Sequence, residues 1–290
     1  MTPPPQPQEP DNKLTIAFLK CDMLPDEVKR KGVKYEDVIH HLFEPMLPER
    51  LTLETKTYDA VARHLPTETE LEDIDAIVIS GSFEDDAHED ATWILRLAGH
   101  LINVRDNYRR IRIIGICFGL QVIARAFGPS QIVKNDKGWE VGSTKVSLTL
   151  LGRELVWGDE AESKDYIMTQ QIHADIVHSV PEGFELLGSS ELTPVQGLAA
   201  MYEEEEERPA FYHSPEHHLP GDPWRSVHII AFQGHPEWDD RILLPLIDGY
   251  EADGAFDAEF AAGARKRAQD HHDGRVLGRA LLKVLGVGVN

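Results

Sequence analysis

The sequence predicts an α/β fold: a doubly wound, mostly parallel sheet with helices on both faces, plus a small antiparallel element. Two observations predict it. Between residues 75 and 127, apolar runs rich in β-branched residues alternate with stretches whose apolar residues recur at helical spacing. That alternation is the mark of parallel βαβ units. The runs themselves, Asp75–Ser80 and Ile111–Ile116, are nearly continuous in apolar residues, as strands covered on both faces must be.

Each element follows in order. Residues 1–12 are proline-rich and polar and read as a disordered tail. Leu14–Leu19 is a short apolar run bounded by polar residues, a buried strand. Tyr35–Phe43 sets Val38, Ile39, Leu42 and Phe43 on one helical side. Leu51–Tyr58 alternates and is rich in threonine, a strand. Asp75–Ser80 is a strand that ends at Gly81, and Ala91–Asn107 a helix carrying Trp93, Ile94, Leu97, Leu101 and Ile102. Ile111–Ile116 is a strand and Gly119–Phe127 a helix. From Trp139 to Leu150 short alternation predicts antiparallel strands, continued at Glu185–Leu187 and Pro194–Met201. Residues 203–224 open with five glutamates and contain four prolines without periodicity, an inserted surface loop. Val227–Phe232 is a strand; Arg241–Tyr250 and the segments from Phe256 and Val276 onward read as helices. The simplest organisation is one domain over residues 13–250, with that insertion and a C-terminal helical extension over 251–290.

Composition narrows the function. The 290 residues carry a formal charge of −21 with a pI near 5.0. A nucleic-acid binder needs a basic face, and an anionic membrane repels an acidic protein. Neither partner is expected. No run of about 18 apolar residues occurs, and the N-terminus lacks the basic and apolar regions of a signal peptide. The only cysteines, Cys21 and Cys117, form no disulfide framework and no metal-site spacing. Two free thiols fit a reducing, cytoplasmic setting.

Cys117 lies in Gly115-Ile116-Cys117-Phe118-Gly119, where an apolar strand gives way to a helix. Glycines two residues to either side match the strand–nucleophile–helix elbow, whose tight turn leaves no room for side chains. The helix N-terminus brings partial positive charge to the sulfur and favours the nucleophilic thiolate. A cysteine nucleophile needs a base and a group to orient it. Gln233-Gly234-His235-Pro236-Glu237 follows the strand Val227–Phe232. Pro236 forces His235 into an extended conformation. Residues two apart in an extended segment share a side, so Glu237 can bond one ring nitrogen and leave the other for the thiol. Fourteen histidines occur; His217, His218, His271 and His272 lie in polar stretches and read as solvated. Both motifs fall at carboxyl ends of strands, where open α/β sheets gather their sites. A third strand ends in Ser80-Gly81-Ser82, whose backbone N–H groups, with that of Phe118, could hold an acyl oxyanion.

These stretches, IVISGS, GICFGLQVIARAFG and QGHPEW, resemble the class I glutamine amidotransferase family, from about Leu14 to about Tyr250. The resemblance implies a flavodoxin-like sheet and a Cys-His-Glu triad. It makes Cys117 the nucleophile, His235 the base and acid, and Glu237 the orienter. It puts Gly81, Ser82 and Phe118 at the oxyanion positions. Gln121 falls where the family contacts the glutamyl portion of the substrate, and His173 would border the substrate pocket. SGSFEDDAHEDATWILRL, KGWEVG and IHADIVHSVPEGFELLGSS are similar to the stand-alone GMP-synthase-like branch that includes γ-glutamyl peptidases. Leu120 departs from the family, which often has histidine or methionine there, and the 203–224 insertion matches no family role.

The implied chemistry is hydrolysis of a γ-glutamyl amide, with a small molecule as substrate and no cofactor or metal. The leading reading is a stand-alone hydrolase of glutathione-like conjugates or small metabolites. One alternative is a glutaminase subunit that supplies ammonia to a separate synthase partner. The other is a catalytically silent binding module.

Overall fold

The computed structural model describes residues 13–23, 28–29, 34–128, 132–158, 163–203 and 222–289. The expected tail, 1–12, and most of the expected insertion, 204–221, lie outside the described residues.

The first half of the chain alternates as the sequence predicts. It runs β1 (Lys13–Lys20), α1 (Tyr35–Phe43), β2 (Thr52–Asp59), α2 (Glu68–Leu71), β3 (Ala76–Ile79), α3 (Thr92–Asn107), β4 (Arg112–Ile116) and α4 (Phe118–Phe127). Thr67 caps α2 in a reciprocal box with Glu70, which closes two otherwise orphaned donors. Strands then dominate: β5 (Ile132–Lys134), β6 (Glu140–Leu148), α5 (Leu150–Trp157), β7 (Tyr166–His173), β8 (Asp175–Val177), β9 (Glu185–Ser189), β10 (Gly197–Met201) and β11 (Val227–Phe232). Three helices end the chain: α6 (Asp240–Ala252), α7 (Ala258–Ala268) and α8 (Gly274–Val284).

Among the described residues, nine strands form one sheet in the order β2-β1-β3-β4-β11-β10-β9-β6-β7. The strands β2, β1, β3, β4 and β11 are parallel; the remaining four are antiparallel. A separate antiparallel pair joins β5 to β8. Strand pleating sends alternate residues to opposite faces. On one face Leu14, Ile16 and Phe18 of β1 pack in a core with Val38 and Ile39 of α1, Leu243 of α6 and Leu281 of α8. On the other, Ala17 and Leu19 pack with Leu97 and Leu101 of α3 and Val122 of α4. Both faces are thus covered.

Five elements went unread in the sequence: the short α2, β5 and β8, and the longer β7 and α5. Strand β7 carries Gln170 and Gln171, both fully buried, so its pattern lacks a polar side. Their amide nitrogens are bonded internally: Gln170 Nε2 donates to Ala268 O at 2.9 Å and Gln171 Nε2 to Gln196 Oε1 at 2.9 Å. Helix α5 opens on Leu150, which is 89% exposed, and so breaks the apolar periodicity on which a helix is recognised.

The antiparallel half curls back on the parallel half. Strand β7 ends the sheet, four strands along from β11. Even so, the His235 N–H, three residues past β11, donates to Gln170 O at 2.8 Å. The chain end braces this junction. Asp273 N donates to Met168 O at 2.7 Å, and Met168 N to Asp273 Oδ2 at 2.9 Å. Gly274 lies so close to the 233–237 segment that a Cβ there would meet Pro236 O at 2.5 Å.

Candidate active site

Cys117 sits between β4 and α4 with φ 56° and ψ −108°, a conformation costly for any residue with a Cβ. Its surroundings hold it there. The N–H of Cys117 donates to Phe232 O at 2.8 Å, and its carbonyl accepts from Leu120 N and Gln121 N. The flanking glycines let the helix press on the sheet. A Cβ at Gly119 would stand 2.5 Å from Ile79 O, and one at Gly115 would stand 2.7 Å from Gly119 O. These are backbone atoms that cannot rotate away, so glycine at both positions is a steric requirement.

His235 and Glu237 share one side of the extended segment: His235 Nδ1 lies 2.7 Å from Glu237 Oε1. Both side chains are buried, at 1% and 6% exposure. Burial works against a charged His235 ring, but the carboxylate of Glu237 and the sulfur of Cys117 outweigh it and raise its pKa to about 9. The Trp238 ring stacks on the imidazole at 3.5 Å and 7°, and Phe83 stacks in turn on Trp238 at 5.5 Å. A π face against a cation adds to its stability.

This shift has a sign. A ring with its folded pKa above its unfolded value of about 6.5 stabilises the fold fully below that value. The contribution fades as pH rises towards the folded value of about 9. The urea midpoint is therefore expected to fall between about pH 6.5 and 9 more steeply in wild type than in His235→Gln. Parallel declines in the two proteins would show that the ring is not held charged.

Gly81 borders both groups. A Cβ there would lie 3.0 Å from His235 Cε1 and 3.6 Å from the Cys117 Cβ. The Gly81 carbonyl accepts from Tyr35 Oη at 3.2 Å and Ser80 Oγ at 2.8 Å. A trans peptide points its N–H opposite to its carbonyl, so the Ser82 N–H faces away from Tyr35. The Ser82 hydroxyl itself accepts from Asp85 N at 3.3 Å. Phe118 is the first residue of α4, where a backbone N–H has no intrahelical acceptor; its ring stacks on Trp93 at 5.3 Å.

Gln121 is buried one turn after Cys117. Its Nε2 donates to Asp175 O at 3.1 Å and to Gln233 Oε1 at 3.2 Å. Gln233 Nε2 in turn donates to Cys117 Sγ at 3.4 Å. His173 is 4% exposed. Its Nδ1 lies 3.0 Å from Asp175 O and its Nε2 3.2 Å from Glu140 Oε2. Burial alone would raise the Glu140 pKa, but His173 and the hydroxyls of Ser190 and Thr193 outweigh it and hold the carboxyl below its usual range. His173 therefore stands behind Gln121, joined to it through Asp175 O, rather than against the sulfur. Cys21 is the contrasting thiol: burial pushes its pKa far up, which keeps it neutral and inert.

Sequence reasoning brought Cys117, His235, Glu237, Gly81 and Phe118 to one place but missed Gln233, Trp238 and Tyr35. The first two adjoin the Gly-His-Pro-Glu stretch, and adjacency was the available signal. Tyr35 gave none, being an ordinary core position of an amphipathic helix.

The chain as a whole has known relatives. The chain matches the family described as glutamine amidotransferase class-I over residues 35–219, more than half its length. It is 30% identical over 275 residues to a glutamine amidotransferase-like protein of Schizosaccharomyces pombe, covering 93% of this chain and 98% of that one. It is 29% identical over 220 residues to gamma-glutamyl peptidase 3 of Arabidopsis thaliana, covering 75% and 76%. Its fold superimposes on the crystal structure of a glutamine amidotransferase from Thermotoga maritima with a TM-score of 0.62, at 16% identity, covering 94% and 98%. The chain belongs to the class I glutamine amidotransferase family. No helix among its described residues is long and apolar enough to cross a membrane.

Proposed function

We propose that the protein is a cysteine hydrolase of γ-glutamyl amides that works through a γ-glutamyl thioester. The observation that carries this reading is the strained Cys117 beside His235, whose far nitrogen lies 2.7 Å from Glu237. In this scheme the charged His235 already holds the proton given up by the thiol, and the thiolate attacks the γ-carbonyl carbon. The N–H groups of Phe118 and of the Gly81–Ser82 turn stabilise the oxyanion. His235 passes the proton to the leaving nitrogen, the C–N bond breaks, and an amine departs. A water then gives His235 a proton and its oxygen to the thioester carbon; the C–S bond breaks, which frees glutamate and restores the thiolate beside the charged imidazole. Glu237 keeps the imidazole oriented and stabilises its charge. Gln121 lies one turn along from the sulfur, towards the glutamyl portion, and His173 supports it through Asp175.

Likeness to gamma-glutamyl peptidase 3 supports an amine leaving group from a peptide or conjugate, such as glutathione S-conjugates, over ammonia. The two buried free cysteines fit a reducing, cytoplasmic site of action. The test compares free glutamate released from glutamine, glutathione and a glutathione S-conjugate by the full chain. Release from the peptides is expected to exceed that from glutamine. Release from glutamine alone would assign the protein as a glutaminase that serves a synthase. A folded protein that releases glutamate from none would be a silent module.

A further inference from the structure

A second cluster lies beyond the triad. Asp86 and His88 are in the loop after β3, and Asp175 opens β8. One ligand-type atom from each lies within 4.8 Å of the others. Asp175 is 7% exposed, and its Oδ1 has no hydrogen-bond partner among the described residues. Lys134 Nζ reaches Asp86 Oδ2 at a long 3.6 Å from a side chain that is 71% exposed. It does not serve Asp175 Oδ1. Two carboxylates brought together, one of them buried, must either share a proton or hold a cation between them. The third donor is an imidazole, a neutral nitrogen suited to a borderline transition metal rather than to calcium or magnesium.

We propose that Asp86, His88 and Asp175 bind a divalent cation of the zinc class, with solvent completing its coordination. Zinc bonds of roughly 2.0–2.2 Å to nitrogen and oxygen bring ligand atoms closer together than the 4.8 Å limit seen here. The exposed His88 and half-exposed Asp86 can close that gap onto the fixed oxygen of Asp175. Asp175 is anchored at its backbone, where its carbonyl accepts from Gln121 and bonds His173. An ion on its carboxylate would hold the segment behind Gln121 without taking part in acyl transfer. The proposal therefore stands whether or not the protein hydrolyses γ-glutamyl amides.

The test is equilibrium dialysis of the chelator-stripped full chain against zinc. With fourteen histidines present, weak background sites are expected, so the decisive comparison is between variants. Wild type is expected to hold one zinc ion that both Asp175→Asn and His88→Ala bind at least about tenfold more weakly. Because His88 is exposed, its variant keeps the test valid if the buried Asp175 variant does not fold. Absence of that ion in wild type, or unchanged zinc affinity in His88→Ala, overturns the proposal.

Discussion

Cys117→Ala is expected to lower glutamate release by about a thousandfold or more, because a nucleophile has no substitute in a covalent mechanism. The variant should keep its fold, since alanine retains the Cβ and the turn. Its companion, Cys117→Gly, separates function from stability. Cys117 holds φ 56°, and glycine adopts such conformations freely. Relief of that strain is expected to stabilise the protein by about 1 kcal/mol while activity stays absent. Glutamate assays and urea midpoints on the two variants check this together. If the alanine variant keeps activity within tenfold of wild type, the thioester mechanism is wrong.

Gly119→Val is expected to cost about 2–3 kcal/mol, towards the upper end for overpacking, and to abolish activity in whatever protein folds. The clash is with Ile79 O, 2.5 Å from the position of a Cβ. Ile79 ends β3, two residues before Gly81, so the displacement that relieves the clash would separate Gly81 from Cys117. Gly99 in α3 is the control: nothing lies within 4 Å of a Cβ there, and Gly99→Ala should be neutral or stabilising by up to about 1 kcal/mol. Thermal melts of both variants measure the contrast. Equal stability of the two would mean that the α4–β3 contact yields easily.

What could be read from sequence was what local sterics dictate. The glycines around Cys117 and the proline after His235 act within five residues of the groups they position, and local reading found them. The inner parallel strands β1, β3, β4 and β11 were legible because burial on both faces leaves a nearly continuous apolar run, whereas the edge strand β2 showed itself by alternation. Gln170, Gln171 and Gln121 are polar yet buried, and their partners are 98, 25 and 54 residues away. No periodicity encodes such pairings. The same holds for His173: the family resemblance places it at the border of the substrate pocket, and its hydrogen bonds, to Glu140 and to the Asp175 carbonyl, are pairings that no local pattern announces. Trp238 has the shortest separation of the residues missed. Its stacking depends on how the chain turns after Glu237, which side-chain alternation does not determine.

The brace of the chain end against Pro236 and β7 bears on synthesis. A ribosome makes Cys117 first and His235 well over a hundred residues later. Gln170, whose carbonyl receives the His235 N–H, is tied to Ala268, and Gly274 packs on Pro236. A nascent chain therefore carries its cysteine for most of translation without the contacts that seat its base. In the mechanism proposed above, covalent chemistry at Cys117 therefore waits until residues 268–274 have been made and docked on Gln170 and Pro236.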